Sequence, residues 1–367
     1  MKLSRFGPVL LSFSMCASFA SSEILVGIAA PLSGAALPTG EQVEFGALKA
    51  IDDLNAAGGV LGEQILATSV DDACNGEQAA VAARQLVAEG VSFVVGHACS
   101  SGSIAGGPIY AEKNIVMISP ASTNPLVTDS GLSNVFRVIG RDDEQGAIAG
   151  DFLAKQFKDD NIAILHDQSA YGQGLAEITK NRLNANGVTE TLFQTYEPEL
   201  AGYDALVDTL VQSEIDVIYV GGYQADAGII IRQAKGELPN ITLISGDALA
   251  SEDFPIIAGD AGLGAYFTFG PDARETPAAE AVVTAFRDDE GFEPSGYTLY
   301  SYAAVQAWAQ AVEKAGTTEG ADVARALLGQ EFDTVLGTIS FDSKGDVVGL
   351  TSFIWNQITE DGYKPAE

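Results

Sequence analysis

Phe93-Val94-Val95-Gly96 recurs as Ile218-Tyr219-Val220-Gly221, an offset of 125 residues at the closing glycine. Met117-Ile118-Ser119 recurs as Leu243-Ile244-Ser245, at an offset of 126. All four are short apolar runs that stop at a small residue, as strands buried on both faces do. Two near-equal offsets predict a duplicated unit, one α/β lobe followed by another. Working outward, Ile24-Leu25-Val26-Gly27-Ile28-Ala29 is a first strand and 31–40 a loop of small residues. Val43, Ala47, Ala50, Ile51 and Leu54 then recur at helical spacing until Gly58-Gly59. Strands over 65–70, 91–95 and 115–118 follow, with helices over 79–88 and 103–112. In the second half, strands over 161–165, 189–195, 216–220 and 241–244 alternate with helices over 174–186, 203–212 and 225–234. Such alternation makes parallel sheets with helices on both faces. The remaining chain reads as helices over 278–290, 299–314 and 323–328. Two alternating stretches, 338–342 and 351–355, then read as antiparallel strands around Ser343-Lys344-Gly345-Asp346. These segments complete the two lobes, so the chain crosses between them more than once and a cleft lies beside the crossings.

Residues 1–20 read as an export signal. Lys2 and Arg5 form a basic start, an apolar run follows, and Ser18 and Ala20 suit cleavage after Ala20. The run is shorter than the roughly 20 residues of a membrane span. Met15 fits poorly before a lipidated Cys16. Cleavage leaves 347 of 367 residues, enough for about two domains. It also removes two of 19 basic residues, leaving 17 against 50 acidic ones and a net charge of −33. That charge repels nucleic acid and anionic lipid and keeps an exported protein soluble. Outside the cytoplasm no nucleotide pool serves a kinase or dehydrogenase. Cys74 and Cys99, the two cysteines left, are free to oxidise there.

In open parallel sheets, ligands bind beyond the carboxyl ends of strands. In the first lobe those ends lead into Gly96-His97-Ala98-Cys99-Ser100-Ser101-Gly102 and Ser119-Pro120-Ala121-Ser122-Thr123. Both loops are rich in hydroxyls and run into helix starts, which suit an anion such as a carboxylate. Taken singly, each hydroxyl is better accounted for by helix capping. The second lobe offers Asp167 to Tyr171, Gly221-Gly222-Tyr223 and Gly246-Asp247, whose rings and carboxylates suit a cation. An anion site facing a cation site across a cleft describes a receptor for a zwitterion. A hydrolytic reading of Ser100 or Cys99 with His97 is the first rival. Ser100 lacks a Gly-x-Ser-x-Gly elbow, no Gly-x-Gly-x-x-Gly follows the first strand, and the only histidines are His97 and His166. The acidic run Asp71-Asp72-Ala73-Cys74-Asn75-Gly76-Glu77 raises calcium, but Ala73 fills the second ligand place of a calcium loop. No metal and no cofactor is expected.

Asp71-Asp72-Ala73-Cys74, Gly96-His97-Ala98-Cys99-Ser100-Ser101, Asp167 with Tyr171-Gly172-Gln173-Gly174, Gly221-Gly222-Tyr223 and the stretch 337–346 occur in order along the chain. Together they resemble the bacterial branched-chain amino-acid (leucine/isoleucine/valine) binding proteins of ABC transporters. The resemblance implies a type I periplasmic binding protein, an α/β protein of two doubly wound parallel-sheet lobes joined by a three-strand hinge. The lobes would comprise 21–141 with 271–349, and 142–270 with 350–367. It implies a Cys74–Cys99 disulfide beside the ligand loop. It also implies that Ser100, Ser122 and Thr123, with the backbone at Ala121, belong to the carboxylate site. Asp247 would take the α-ammonium, one methylene shorter than the family's usual glutamate. Tyr171 and Tyr223 would form aromatic walls, and Tyr297 would line the side-chain pocket. Thr39 stands where leucine-binding relatives carry an aromatic ring. The expected function is therefore binding, not catalysis: a monomer in the periplasm, not inserted in the membrane and not binding nucleic acid, that delivers an amino acid to an ABC permease. An amide, urea or small carboxylate receptor for transport or sensing is the alternative, and Asp247 discriminates, since a ligand without an ammonium gains little from a buried carboxylate.

Overall fold

The computed structural model describes residues 23–351, 353–360 and 362–366. The expected export signal lies outside them. The first sheet contains β1 (Glu23–Ala30), β2 (Gln64–Asp71), β3 (Phe93–Gly96), β4 (Val116–Ser119) and β5 (Val135–Arg137), in the order β2-β1-β3-β4-β5 and all parallel. The second contains β6 (Ile162–His166), β7 (Leu192–Thr195), β8 (Val217–Gly221), β9 (Thr242–Ser245) and β10 (Tyr266–Phe269). Their order, β7-β6-β8-β9-β10, repeats that of the first sheet. The recurring runs Phe93–Gly96 and 218–221 therefore occupy equivalent strands, each beside the first strand of its lobe. Their residues are completely buried because helices cover both faces.

Three elements depart from the sequence reading. The first helix, Leu37–Ala56, starts inside the stretch read as a loop, with Pro38 in its first turn. Gly40 permits this, since a Cβ there would sit 1.7 Å from the Pro31 carbonyl oxygen. The 338–342 and 351–355 stretches do not pair with each other. β12 (Gly337–Phe341) pairs with β11 (Glu331–Thr334) and with the short β13 (Val347–Val348), whereas β14 (Ile354–Thr359) joins the second sheet antiparallel to β10 and carries β15 (Gly362–Pro365) at the edge. The third departure is the region 126–160, which holds β5 and a buried helix, Asp142–Gln156. Its buried face is built from Asp142, Gln145, Gly146, Ala149, Gly150 and Leu153, which hydrophobic periodicity alone misses. The glycines let it lie against the helix Ala170–Ala185, since a Cβ at Gly150 would reach within 2.5 Å of Arg182 Cβ.

The chain passes from one lobe to the other after β5, after β10 and between β13, which lies in a separate three-stranded sheet with β11 and β12, and β14. The helix Thr298–Ala315 returns to the first lobe, where Trp308 stacks on Phe93 with centroids 4.7 Å apart and Ser301 Oγ donates to the Val43 carbonyl at 2.6 Å. Buried Arg137 fixes the crossings, donating to Asp346 beside β13 at 2.5 Å and to the Ser122 and Asn124 carbonyls at 3.0 and 2.9 Å.

Candidate functional site

Strand order reverses between β1 and β3 in one lobe and between β6 and β8 in the other, and residues from the loops at those switch points, Ala98 and Ser100 in one and Tyr171 and Tyr223 in the other, line one cavity. Ser100 is the first residue of the helix Ser100–Ala111 and is buried. Its Oγ accepts the Asn124 N–H at 3.2 Å, which leaves its own proton available to an anion. Cys99 caps that helix and is joined to Cys74 by a disulfide with Cα atoms 5.3 Å apart. The bond ties the helix start to the Asp71–Asn75 turn. The Ser119 hydroxyl accepts the Ala121 and Ser122 N–H groups at 3.3 and 2.9 Å, a turn that shapes the second loop.

The cavity between the lobes is lined by Thr39, Ala98, Ser100, Ala121, Tyr171, Tyr223, Asp247, Ala248 and Tyr297. It encloses about 20 Å³, little more than one water molecule needs. Of the residues read from the sequence, Thr39, Ser100, Ala121, Tyr171, Tyr223, Asp247 and Tyr297 meet there. Ser122 and Thr123 do not line it. The Ser122 hydroxyl is turned inward, within 2.7 Å of Ser103 Oγ and 3.0 Å of the His97 carbonyl. Thr123 Oγ1 is buried without a hydrogen-bond partner among the described residues. Among the described residues, side-chain hydrogen bonds cross the cleft and hold it shut: Asn124 Nδ2 donates to the Ala170 carbonyl at 2.6 Å and the Tyr297 hydroxyl to Asp247 Oδ2 at 2.7 Å.

Asp247 is the electrostatic centre of the cavity. It is 1% exposed, and besides Tyr297 it accepts the Tyr171 hydroxyl at 2.9 Å and Gln145 Nε2 at 3.0 Å, both on Oδ1. Burial pushes its carboxyl above the ordinary range, and the three donors pull it partly back. Burial, reinforced by the Asp247 charge, pushes the Tyr171 and Tyr297 hydroxyls far up and keeps them as donors. Gly246 makes room for this cluster, since a Cβ there would lie 2.5 Å from the Tyr171 hydroxyl oxygen. Gln145 holds the backbone as well, its Oε1 accepting the Asp247 N–H at 2.8 Å and the Thr268 hydroxyl at 2.6 Å.

His97 is fully buried and both ring nitrogens are engaged, Nδ1 2.6 Å from Asp72 Oδ2 and Nε2 3.1 Å from the Tyr110 hydroxyl. With Cys99 in the disulfide, the constellation that suggested a nucleophile is a piece of packing. The acidic run 71–77 is likewise spent locally: Asp71 accepts from Leu32, Ser33 and Ala73, and Asn75 caps the helix Gly76–Glu89. Sequence reasoning missed Ala98, an unremarkable member of a quoted loop, and Ala248, which follows the quoted Gly246-Asp247, and it missed Gln145 and Asp142. The signal for the last two was the i, i+3 spacing shared with Gly146 and Ala149, which puts them on the buried face.

Residues 23–354 match the periplasmic binding protein family. The chain is 43% identical over 345 residues to a Leu/Ile/Val-binding protein homolog of Brucella abortus, covering 93% of each protein. The leucine-binding protein of Thermotoga maritima superposes with a TM-score of 0.85 at 25% identity, over 94% of this chain and 98% of that one. An ABC transporter substrate-binding protein of Desulfitobacterium hafniense in complex with Leu gives 0.74 at 27% identity, over 94% of this chain and 100% of that one. The matched family is one of binding proteins, not enzymes. This chain belongs to the branched-chain amino-acid (Leu/Ile/Val) family of periplasmic binding proteins.

Proposed function

We propose that the chain captures leucine, isoleucine or valine between its lobes outside the cytoplasmic membrane and delivers it to the permease of an ABC transporter. The observation that carries this reading is Asp247, a buried carboxylate with only hydroxyl and amide donors around it. It calls for a cation, and the cavity around it has apolar walls. The α-ammonium sits against Asp247, between the Tyr171 and Tyr223 rings. The ligand carboxylate takes the Ser100 hydroxyl and the backbone at Ala121, at the dipole end of the helix Ser100–Ala111, and the Thr123 hydroxyl, which does not line the closed cavity, turns toward it when the ligand enters. Ser122 supports that loop through its bonds to the backbone. Thr39 and Tyr297 bound the side-chain end. In this reading residues 1–20 direct export, the mature chain acts as a monomer, and the lobes 21–141 with 271–349 and 142–270 with 350–367 open to admit the ligand. Leucine, isoleucine and valine should raise the melting temperature more than polar amino acids, amides, urea or aromatic acids in a thermal-shift screen. A larger shift with an amide, urea or a carboxylate lacking an amino group would overturn the reading in favour of that solute.

A further inference from the structure

Asp142 opens the helix that follows the first crossing, and it is 0% exposed. Its N–H donates to the Thr123 carbonyl at 2.9 Å, which places it directly behind the loop assigned to the ligand carboxylate. Its Oδ1 accepts Gln145 Nε2 at 2.8 Å; its Oδ2 makes no hydrogen bond of ordinary geometry among the described residues, though the neighbouring Thr123 hydroxyl pulls the carboxyl partly down. The same amide nitrogen donates to Asp247 Oδ1 at 3.0 Å, so the two carboxylates lie within about 6 Å of each other, bridged by one NH₂ group. Gln145 cannot rotate to relieve the pair, because its oxygen is held by the Asp247 N–H and the Thr268 hydroxyl. Among the described residues the cations nearest the two carboxylates are engaged elsewhere, although the buried Arg137 charge pulls Asp142 partly back down. Arg137 on β5 spends its guanidinium on Asp346, Thr128 and two carbonyls, and Arg141 spends its own on Asp129, Asp143 and Asp346. The other groups packed around the pair are the hydroxyls of Tyr171, Tyr219, Tyr223 and Tyr297, all kept protonated by burial, and the unpaired Thr123 hydroxyl. Two like charges this close, bridged by one amide inside a single lobe, do not both form unaided.

We propose that Asp142 and Asp247 hold one proton between them in the empty site, and that capture of the ligand ammonium expels this proton to solvent. The proposal rests on the assignment of Asp247 to the ammonium. The ligand enters already protonated, one carboxylic O–H bond breaks, and the proton passes to water or buffer. The empty pair carries one negative charge and the filled pair two, the added one balanced by the ammonium. Asp142 is then a positioning residue: it does not touch the ligand, but it sets the charge state of the group that does. Burial and the neighbouring Asp247 charge push Asp142 up to about 8, so the exchange falls in the neutral range.

The test is calorimetric titration of the full chain with leucine in phosphate and in Tris, buffers of different ionisation enthalpy. At about pH 7 the two enthalpies should differ by an amount equivalent to nearly one proton released per leucine bound, fading above about pH 9, where the empty pair has already lost its proton. Asp142→Asn should abolish the buffer difference. Equal enthalpies in both buffers from about pH 6 to about pH 8, with leucine bound, overturn the proton exchange and leave the ligand assignment standing. Undiminished release in Asp142→Asn overturns the role given to the pair. Failure of leucine to bind at all overturns the ligand assignment and the exchange with it. Should Asp142→Asn not fold, the wild-type comparison between buffers decides alone.

Discussion

Asp247→Asn takes one negative charge from a side chain that is 1% exposed and accepts three hydrogen bonds. The asparagine amide has one oxygen for the three donors. Gln145 Nε2 is locked by the bonds its oxygen makes, so the Asn oxygen must face Gln145 and Tyr171. The NH₂ group then faces Tyr297, whose hydroxyl turns to accept, and the ammonium, which cannot. A charged hydrogen bond is worth about 1.5–3 kcal/mol, and removing one partner of a buried ion pair costs about 3–5 kcal/mol. The loss for leucine should therefore be about 3 kcal/mol, roughly two decades in affinity. 4-Methylpentanoate, the same ligand without its amino group, should lose little or gain. The empty variant should melt no lower than wild type, because it is relieved of a charge that burial disfavours. Calorimetry with both ligands, and thermal denaturation without ligand, measure all three quantities. Leucine binding within about threefold of wild type would refute the assignment of Asp247 to the ammonium, since no geometry leaves a buried ammonium indifferent to that charge.

Ser100→Ala and Thr123→Ala should each weaken every carboxylate ligand by about 1 kcal/mol, whatever its side chain; a loss confined to one amino acid would contradict a role at the shared head group. The mature protein should show no free thiol, and reduction of Cys74–Cys99, which closes a loop of sequence separation 25, should remove about 3.5 kcal/mol of stability in the chain-entropy account, read as a fall in melting temperature. Asp167, pushed up to about 6 by burial, binds more protons folded than unfolded between its ordinary value and about 6. It therefore costs stability as pH rises through that window, and Asp167→Asn should gain on wild type from about pH 4 to about pH 6 in urea denaturation, whereas parallel curves would exclude the effect. The bonds across the cleft and a cavity of about 20 Å³ require the lobes to part before an amino acid enters. Small-angle scattering should show a smaller radius of gyration with leucine than without, and an unchanged radius at saturation would argue for a rigid site.

Local sequence determined the strands, most of the helices and the duplication, because a strand buried on both faces must be apolar throughout and a parallel sheet must return through a helix. It also located most of the site, since ligands gather beyond strand ends and those loops are short enough to read directly. Thr39, Ser100, Ala121, Tyr171, Tyr223, Asp247 and Tyr297 were all legible in that way or through the family motifs. Tertiary structure alone decided the rest. The sequence alone assigns no element to 141–145, and only the packing of the helix Asp142–Gln156 against Ala170–Ala185 reveals that Asp142 and Gln145 are buried behind Asp247. The stretch 351–355 alternates as a strand would in either lobe, and only the fold shows that β14 pairs with β10 of the second sheet. Ser122 reads as a ligand hydroxyl until the fold turns it onto the His97 carbonyl. Periodicity reports which face of an element is apolar; which polar groups are buried together depends on contacts between residues about 100 positions apart, as Gln145 and Asp247 are, and no local pattern encodes those.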